Sequence, residues 1–319
     1  MQRLLAGCIL VCLFSGCSPG AVTEISPTPT AGRVSEPAFG SPISNTTDIP
    51  FEADPPIPVC DPLVSDYCIS YGSFILQNPL DAPLHESIQK TYRYGSTDSG
   101  QRDPHHGIDL IGAFGASVFA SADGEVIYAG ADRKPVYSPY KDFYGNCIVL
   151  RHEHELYTLY GHLSKVLVSP GQQVEAGDLI GEVGDSGVAI GSHLHFEVRR
   201  GGDGSNYFST ENPELWLELQ QGEDGVVFGG LSVYLDLGLS NKVQRELAVE
   251  YYLDGENTPS RSFSIMTYPG GFEHHLEDAA ISNLLPGRYR IALLDKIGFQ
   301  DRWFYVESGK LTQVNFVLK

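Results

Sequence analysis

Between about Phe74 and Trp216, short apolar runs alternate with glycine-bearing turns. The runs are Ala116–Ala120, Glu125–Ala129, Cys147–His152, Leu156–Tyr160, Val174, Leu179–Val183 and Leu194–Val198. Between them stand Asp123-Gly124, Tyr144-Gly145-Asn146, Ser169-Pro170-Gly171 and Ala176-Gly177-Asp178. Runs this short, punctuated this often, predict an antiparallel β domain. Helices are few, and Leu84–Lys90 reads as one turn or two. After Gln221 a second pattern begins. Tyr289, Ile291 and Leu293 recur at every second position, as do Val314, Phe316 and Leu318, and Pro286-Gly287 and Ser308-Gly309 read as turns. This predicts a small β-sandwich. Ser18 to Pro58 is Pro, Ser, Thr and Gly with few large apolar residues, too little to bury, and reads as a flexible tether. The expected organisation is a signal at 1–17, a linker at 18–58, a β domain at 59–221 with its core at about 74–216, and a sandwich at 222–319. The fold class is mainly β.

Composition agrees with this pattern and narrows the function. The chain has 319 residues, 42% of them hydrophobic and 11% aromatic, enough for folded cores. Its 21 Lys+Arg against 40 Asp+Glu leave a net charge of -19, which a phosphate backbone would repel, so nucleic acid is excluded as a partner. No internal apolar run reaches the length of a membrane span. At the N-terminus Arg3 precedes an apolar stretch from Leu4 to Phe14, followed by Ser15-Gly16-Cys17. This resembles a bacterial lipoprotein signal, cut before Cys17 with the thiol lipidated, although Phe14 stands where Leu is usual. The mature protein is then exported and anchored to a bacterial membrane, at the cell surface or in the periplasm. In such a compartment Cys60 and Cys68 are candidates for a disulfide, with two free thiols as the alternative. Cys147, inside Cys147-Ile148-Val149-Leu150, reads as a buried core thiol.

Five of the ten His fall in three patterns: His105-His106-Gly107-Ile108-Asp109, Tyr160-Gly161-His162-Leu163-Ser164 and Gly191-Ser192-His193-Leu194-His195-Phe196-Glu197. The third lies in an apolar stretch that reads as a strand. His193 and His195 therefore project from one face while Leu194 and Phe196 pack behind. Two imidazoles side by side depress each other's protonation unless a metal or carboxylate intervenes. The first pattern offers a His and an Asp four apart; Gly107 and the β pattern after it argue for a turn into a strand. Nitrogen and oxygen donors together suit Zn²⁺, and three protein ligands plus one water is the layout of a catalytic zinc. The remaining His read as bland. His106 faces away from its neighbour, His152 and His154 sit at a hairpin end, His274-His275 have no partner motif, and His85 precedes the domain. In the Tyr- and Pro-rich segment 134–144, Tyr137, Tyr140 and Tyr144 are candidates to wall a substrate groove.

Residues from about 74 to 216, a little under half the chain, resemble the lysostaphin/LytM family of zinc metalloendopeptidases, which cleave peptide bonds in peptidoglycan. His105-x-x-x-Asp109, Tyr160-Gly161-His162-Leu163-Ser164 and His193-x-His195 fit its motifs in order, as do Gly184-Asp185-Ser186-Gly187 and Asn212-Pro213-Glu214-Leu215-Trp216. The resemblance implies one Zn²⁺ per chain held by His105, Asp109 and His195. It also implies His193 as general base, His162 as its assistant, and peptidoglycan as partner. Val168–Gly184 resembles a biotinyl/lipoyl-type barrel-sandwich hairpin, but no lysine stands at its tip, so a carrier role is not supported. The C-terminal segment resembles carboxypeptidase-regulatory or transthyretin-like sandwiches. Two other readings stand beside the enzyme: a non-catalytic relative that regulates another wall hydrolase, and a wall-binding adhesin.

Overall fold

The computed structural model describes residues 61, 63–236, 243–270, 277–295 and 298–317. The signal, Cys17, the tether, Cys60, His274, His275 and Leu318 lie outside the described residues. So does the side chain of His85.

One seven-stranded sheet carries the histidines. Its spatial order is Thr210–Glu211, His193–Arg200, Leu156–Leu163, Asn146–Arg151, Gly124–Ala131 and Gln173–Val174. Ile108–Ile111 shares the outer edge of His193–Arg200 with Thr210–Glu211, so that strand is hydrogen-bonded on both sides. All these pairings are antiparallel. The apolar face sends Leu194, Phe196 and Val198 into a core with Ile148, Leu150 and Tyr160, all fully buried. Each such side chain contributes about 1.5–3 kcal/mol by leaving water. A three-stranded sheet of Ser117–Phe119, Leu179–Glu182 and Lys165–Val166 closes the same core with Val118 and Ile180. The expected strands are therefore present, each within a few residues of its sequence run. The stretch read as helix is a single turn, Leu84–Ser87.

The C-terminal part is a two-layer sandwich. One sheet has the order Tyr67–Ser70, Leu311–Val317, Gly229–Asp236, Ala279–Leu284; the other has Arg261–Met266, Glu246–Tyr252, Gly287–Asp295, Gly298–Val306. Leu311–Val317 and Gly229–Asp236 run parallel, and the other pairs are antiparallel. Leu231, Val249, Ile291, Phe304, Val314 and Phe316 fill the space between the sheets. Tyr67–Ser70, early in the chain, is an edge strand of this sandwich and not of the histidine-bearing sheet. Cys68 in that strand is disulfide-bonded, while Cys147 is free and buried. Among the described residues no helix is long and apolar enough to cross a membrane.

Candidate metal centre

Antiparallel register sets Asp109 on Ile108–Ile111 directly opposite His195 on His193–Arg200. The turn before the first strand folds His105 back onto the same point. Three donor atoms meet there: His105 Nε2 to Asp109 Oδ1 is 3.1 Å, His105 Nε2 to His195 Nδ1 is 3.1 Å, and His195 Nδ1 to Asp109 Oδ1 is 3.0 Å. Donors about 2.0–2.1 Å from a tetrahedral zinc stand roughly 3.3 Å apart, so this near-equilateral triangle fits the ion with little adjustment. All three residues are buried.

The outer partners fix which nitrogen faces the triangle. His105 Nδ1 donates to the Tyr92 carbonyl at 3.0 Å and its ring stacks on the Tyr92 ring. His195 Nε2 donates to Glu197 Oε1 at 3.0 Å. Each imidazole thus commits its outer nitrogen as a donor and turns the other inward, the one that would coordinate a metal. Behind His195 lies a buried network: Glu197 accepts from Tyr144 Oη at 2.7 Å and from Arg199 Nε at 2.8 Å, and Arg199 also reaches the Tyr137 and Gly204 carbonyls. Burial works to raise Glu197, but Arg199 and His195 outweigh it and hold the carboxyl at about 2. Burial likewise works against a charge on His195, yet its bonds to Asp109 and Glu197 raise it to about 9. The pocket favours a positive charge at this spot, which a cation supplies as well as a proton does.

His162 and His193 stand beside the triangle, their ring centroids 4.8 Å apart. His162 Nδ1 donates to the Ser186 carbonyl at 2.8 Å, and His193 Nδ1 to the Gly191 carbonyl at 3.0 Å. His193 Nε2 lies 3.6 Å from Asp109 Oδ2. Burial first, then the neighbouring imidazoles, push His162 down to about 3; burial also lowers His193. Both line a cleft of about 520 Å³ together with the three triangle residues.

The stretch that holds these residues is similar to known proteins. Residues 103–207 match the model of peptidase family M23. The chain carries a peptidase M23 domain. Murein hydrolase activator NlpD of Salmonella dublin is 31% identical over 150 residues, covering 47% of this chain and 36% of that protein. DD-carboxypeptidase/endopeptidase Mpg of Neisseria meningitidis serogroup B is 38% identical over 109 residues, covering 34% of this chain and 23% of that one. The chain thus spans about a third or less of these curated relatives. Among solved structures, the catalytic domain of the prophage-encoded M23 protein EnpA from Enterococcus faecalis is 28% identical, covers 40% of this chain and 88% of its own, and has a TM-score of 0.34.

The M23 domain places the other candidates unevenly. Tyr144 is fully buried and Tyr137 nearly so, both packed around Arg199 and Cys147, so neither walls the cleft. Tyr140 is about half exposed and donates to Asp103, a residue of the rim, at 2.7 Å. The aromatic lining comes instead from Tyr92, Phe143 and Tyr207, joined by Val188 and Ile190 from the loop before His193. His106 also lines the cleft but turns Nδ1 to Thr210 Oγ1 at 3.2 Å, its ring tilted against Tyr207 with centroids 3.9 Å apart, and burial lowers it to about 4. His152 is engaged by the Asp123 carbonyl and Thr158 Oγ1. Among the described residues, His105, Asp109 and His195 form the one metal-type cluster.

Proposed function

We propose that the protein is a zinc metalloendopeptidase that hydrolyses peptide bonds in bacterial peptidoglycan. The observation that carries this reading is the buried His105–Asp109–His195 triangle at the floor of a cleft that also holds His162 and His193. Bound Zn²⁺ would supply a Lewis acid and bring the pKa of a coordinated water to about 7. The residues do the rest. His193, with Nδ1 committed to Gly191, keeps Nε2 as a base that takes the proton of the attacking water and returns it to the leaving amine. His162, fixed through Ser186, orients that water or steadies the developing oxyanion. Tyr92, Phe143, Tyr207, Val188 and Ile190 give the cleft apolar walls against which a peptide can lie.

In the same reading Cys17 is the lipid anchor, 18–58 the tether that lets the domains reach the wall, and Cys60 the partner of Cys68. The M23 domain occupies 59–221, joined by the 67–70 strand to the sandwich of 222–319. The protein then works outside the cytoplasm.

A second reading has support of its own, since one relative is named a murein hydrolase activator. In that case the domain would dock another hydrolase and leave the wall uncut. One experiment separates the two. Soluble protein from about residue 58 onward is incubated with purified peptidoglycan, with and without chelator, beside His193→Ala. Chelator-sensitive release of new peptide ends, reduced at least about 100-fold in His193→Ala while zinc is retained, supports the enzyme. One zinc per chain with no release supports the regulator.

A further inference from the structure

We propose that the C-terminal sandwich is a strap on the metal centre, acting through Gln244 as a positioning residue for His105. This rests on the metal-site reading above. His105 is the one member of the triangle that does not belong to a strand, so something other than sheet register must hold its backbone. Two bonds do so: Gly95 N donates to the His105 carbonyl at 2.8 Å, and His105 N donates to the Ser96 carbonyl at 2.9 Å. Gly95 and Ser96 themselves sit in a loop, and the sandwich grips that loop. Gln244 Nε2 donates to the Gly95 carbonyl at 3.0 Å, and Gln244 Oε1 accepts from Thr97 Oγ1 at 2.6 Å. The same Nε2 donates to the Thr267 carbonyl at 3.0 Å. The adjoining Arg245 is held to Thr267 in turn: Thr267 N donates to the Arg245 carbonyl at 2.9 Å, and Arg245 N donates to the Thr267 hydroxyl Oγ1 at 2.8 Å.

Apolar contact follows the same line. Tyr268, next to Thr267, meets Tyr94 edge to face with centroids 5.1 Å apart and is buried in the core of the M23 domain. Its ring lies so close to Gly95 that a Cβ there would stand 2.6 Å from Tyr268 Cδ1. With φ +74° and Tyr268 packed against it, position 95 takes only a glycine without strain. One glutamine side chain therefore ends two hydrogen bonds from a metal ligand, while belonging to a sandwich in which the sequence shows no chemistry of its own. Groups that orient a ligand from behind typically change metal affinity by about 10–100-fold when removed.

The test reads zinc affinity of the whole exported chain by competition with a chromophoric chelator, with a thermal melt on every variant. Gln244→Met keeps the length of the side chain and removes its hydrogen bonds to Gly95 and Thr97, together with the one to Thr267; the expected zinc dissociation constant rises about 10-fold. Thr97→Ala removes one arm from the loop side and is expected to weaken binding several-fold, and Thr97→Ser to restore it. The double variant Gln244→Met/Thr97→Ala is expected to be no weaker than Gln244→Met alone, because both break one linkage. Gln313→Met, whose parent amide bonds Asn315 within the sandwich strand Leu311–Val317, is the control and leaves affinity unchanged. Unchanged affinity in Gln244→Met and Thr97→Ala overturns the strap, as does an equal loss in Gln313→Met. If the parent protein binds no zinc, the metal reading falls first and takes the strap with it. If Gln244→Met does not fold, the Thr97→Ala and Thr97→Ser pair decides.

Discussion

At the scale of single residues, the strand His193–Arg200 is read by its period of two. His193 and His195 were legible as a same-face pair because alternate strand residues share a face. The same step continued twice more reaches Glu197 and Arg199, and there the sequence reading stopped. Both are fully buried, and they complete the site: Glu197 fixes the His195 tautomer, and Arg199 neutralises Glu197. An acid and a base at i and i+2 beyond a candidate ligand, on a strand whose other face is apolar from Leu194 to Val198, was the available signal. The pair also yields a prediction. Glu197→Gln keeps the shape but leaves Arg199 buried without its counter-charge, and it weakens the hold on the His195 ring. Breaking a buried ion pair by removing one partner costs about 3–5 kcal/mol, and loss of an outer partner lowers metal affinity about 10–100-fold. Zinc titration and a denaturant melt should show both losses in Glu197→Gln. Asp109→Ala, by contrast, should abolish zinc binding while costing less stability in the apo protein, because His105 and His195 keep their outer partners Tyr92 and Glu197.

At the scale of elements, the strands were legible almost throughout, since each buries one face and the apolar run marks it. The Tyr- and Pro-rich segment 134–144 was not, because a loop has no period to say which side chains face inward. Tyr137 and Tyr144 turn toward Arg199, drawn by a buried charge that needs partners. The glycine-rich lead-in 184–187 matched the family pattern, and its physical role is close packing. Gly187 has φ +75° and lies against the backbone of Asp142, Phe143 and Gly145, so a Cβ there meets main chain on every side. The adjoining Ser186 carbonyl is what holds His162 Nδ1. Gly187→Ala should therefore cost at least about 2 kcal/mol, from the left-handed backbone and the clash together, and lower Tm by about 4–8 °C. Zinc content should stay at one per chain, because His162 is not in the triangle. A variant with parental Tm would show that the loop can move away freely, and that His162 is not held by this contact.

At the scale of the whole molecule, the two halves of the described chain meet across a seam in which Tyr268, Asn212 and Glu214 take part. Asn212 Nδ2 donates to Tyr268 Oη at 2.9 Å, and Glu214 pairs with Arg93 while its Oε2 accepts from Ser282 N at 3.1 Å. Neither half announced this seam in its hydropathy pattern, since polar contacts between domains leave no period, and the strand Tyr67–Ser70 was not among the runs that the pattern marked. Glu277 lies at the seam, 3.5 Å from Tyr268 Oη. Burial, then the charges of Glu211 and Asp278, raise it from an ordinary 4.5 to about 7. The sign follows from proton counting: between about pH 4.5 and 7 the folded chain keeps a proton on Glu277 that the unfolded chain has lost, so stability falls as pH rises through this window and is flat above it. The penalty at pH 8 is roughly 3 kcal/mol. Glu277→Gln removes it, so the variant should melt several degrees above the parent at pH 8 and within a degree or so at pH 4.5. Because burial is the larger cause, 0.5 M salt should screen the contribution of Glu211 and Asp278 yet leave most of the difference in place. A gap between variant and parent that is equal at the two pH values, or that vanishes in salt, would mean that Glu277 ionises as an ordinary surface acid and that the seam opens to water around it.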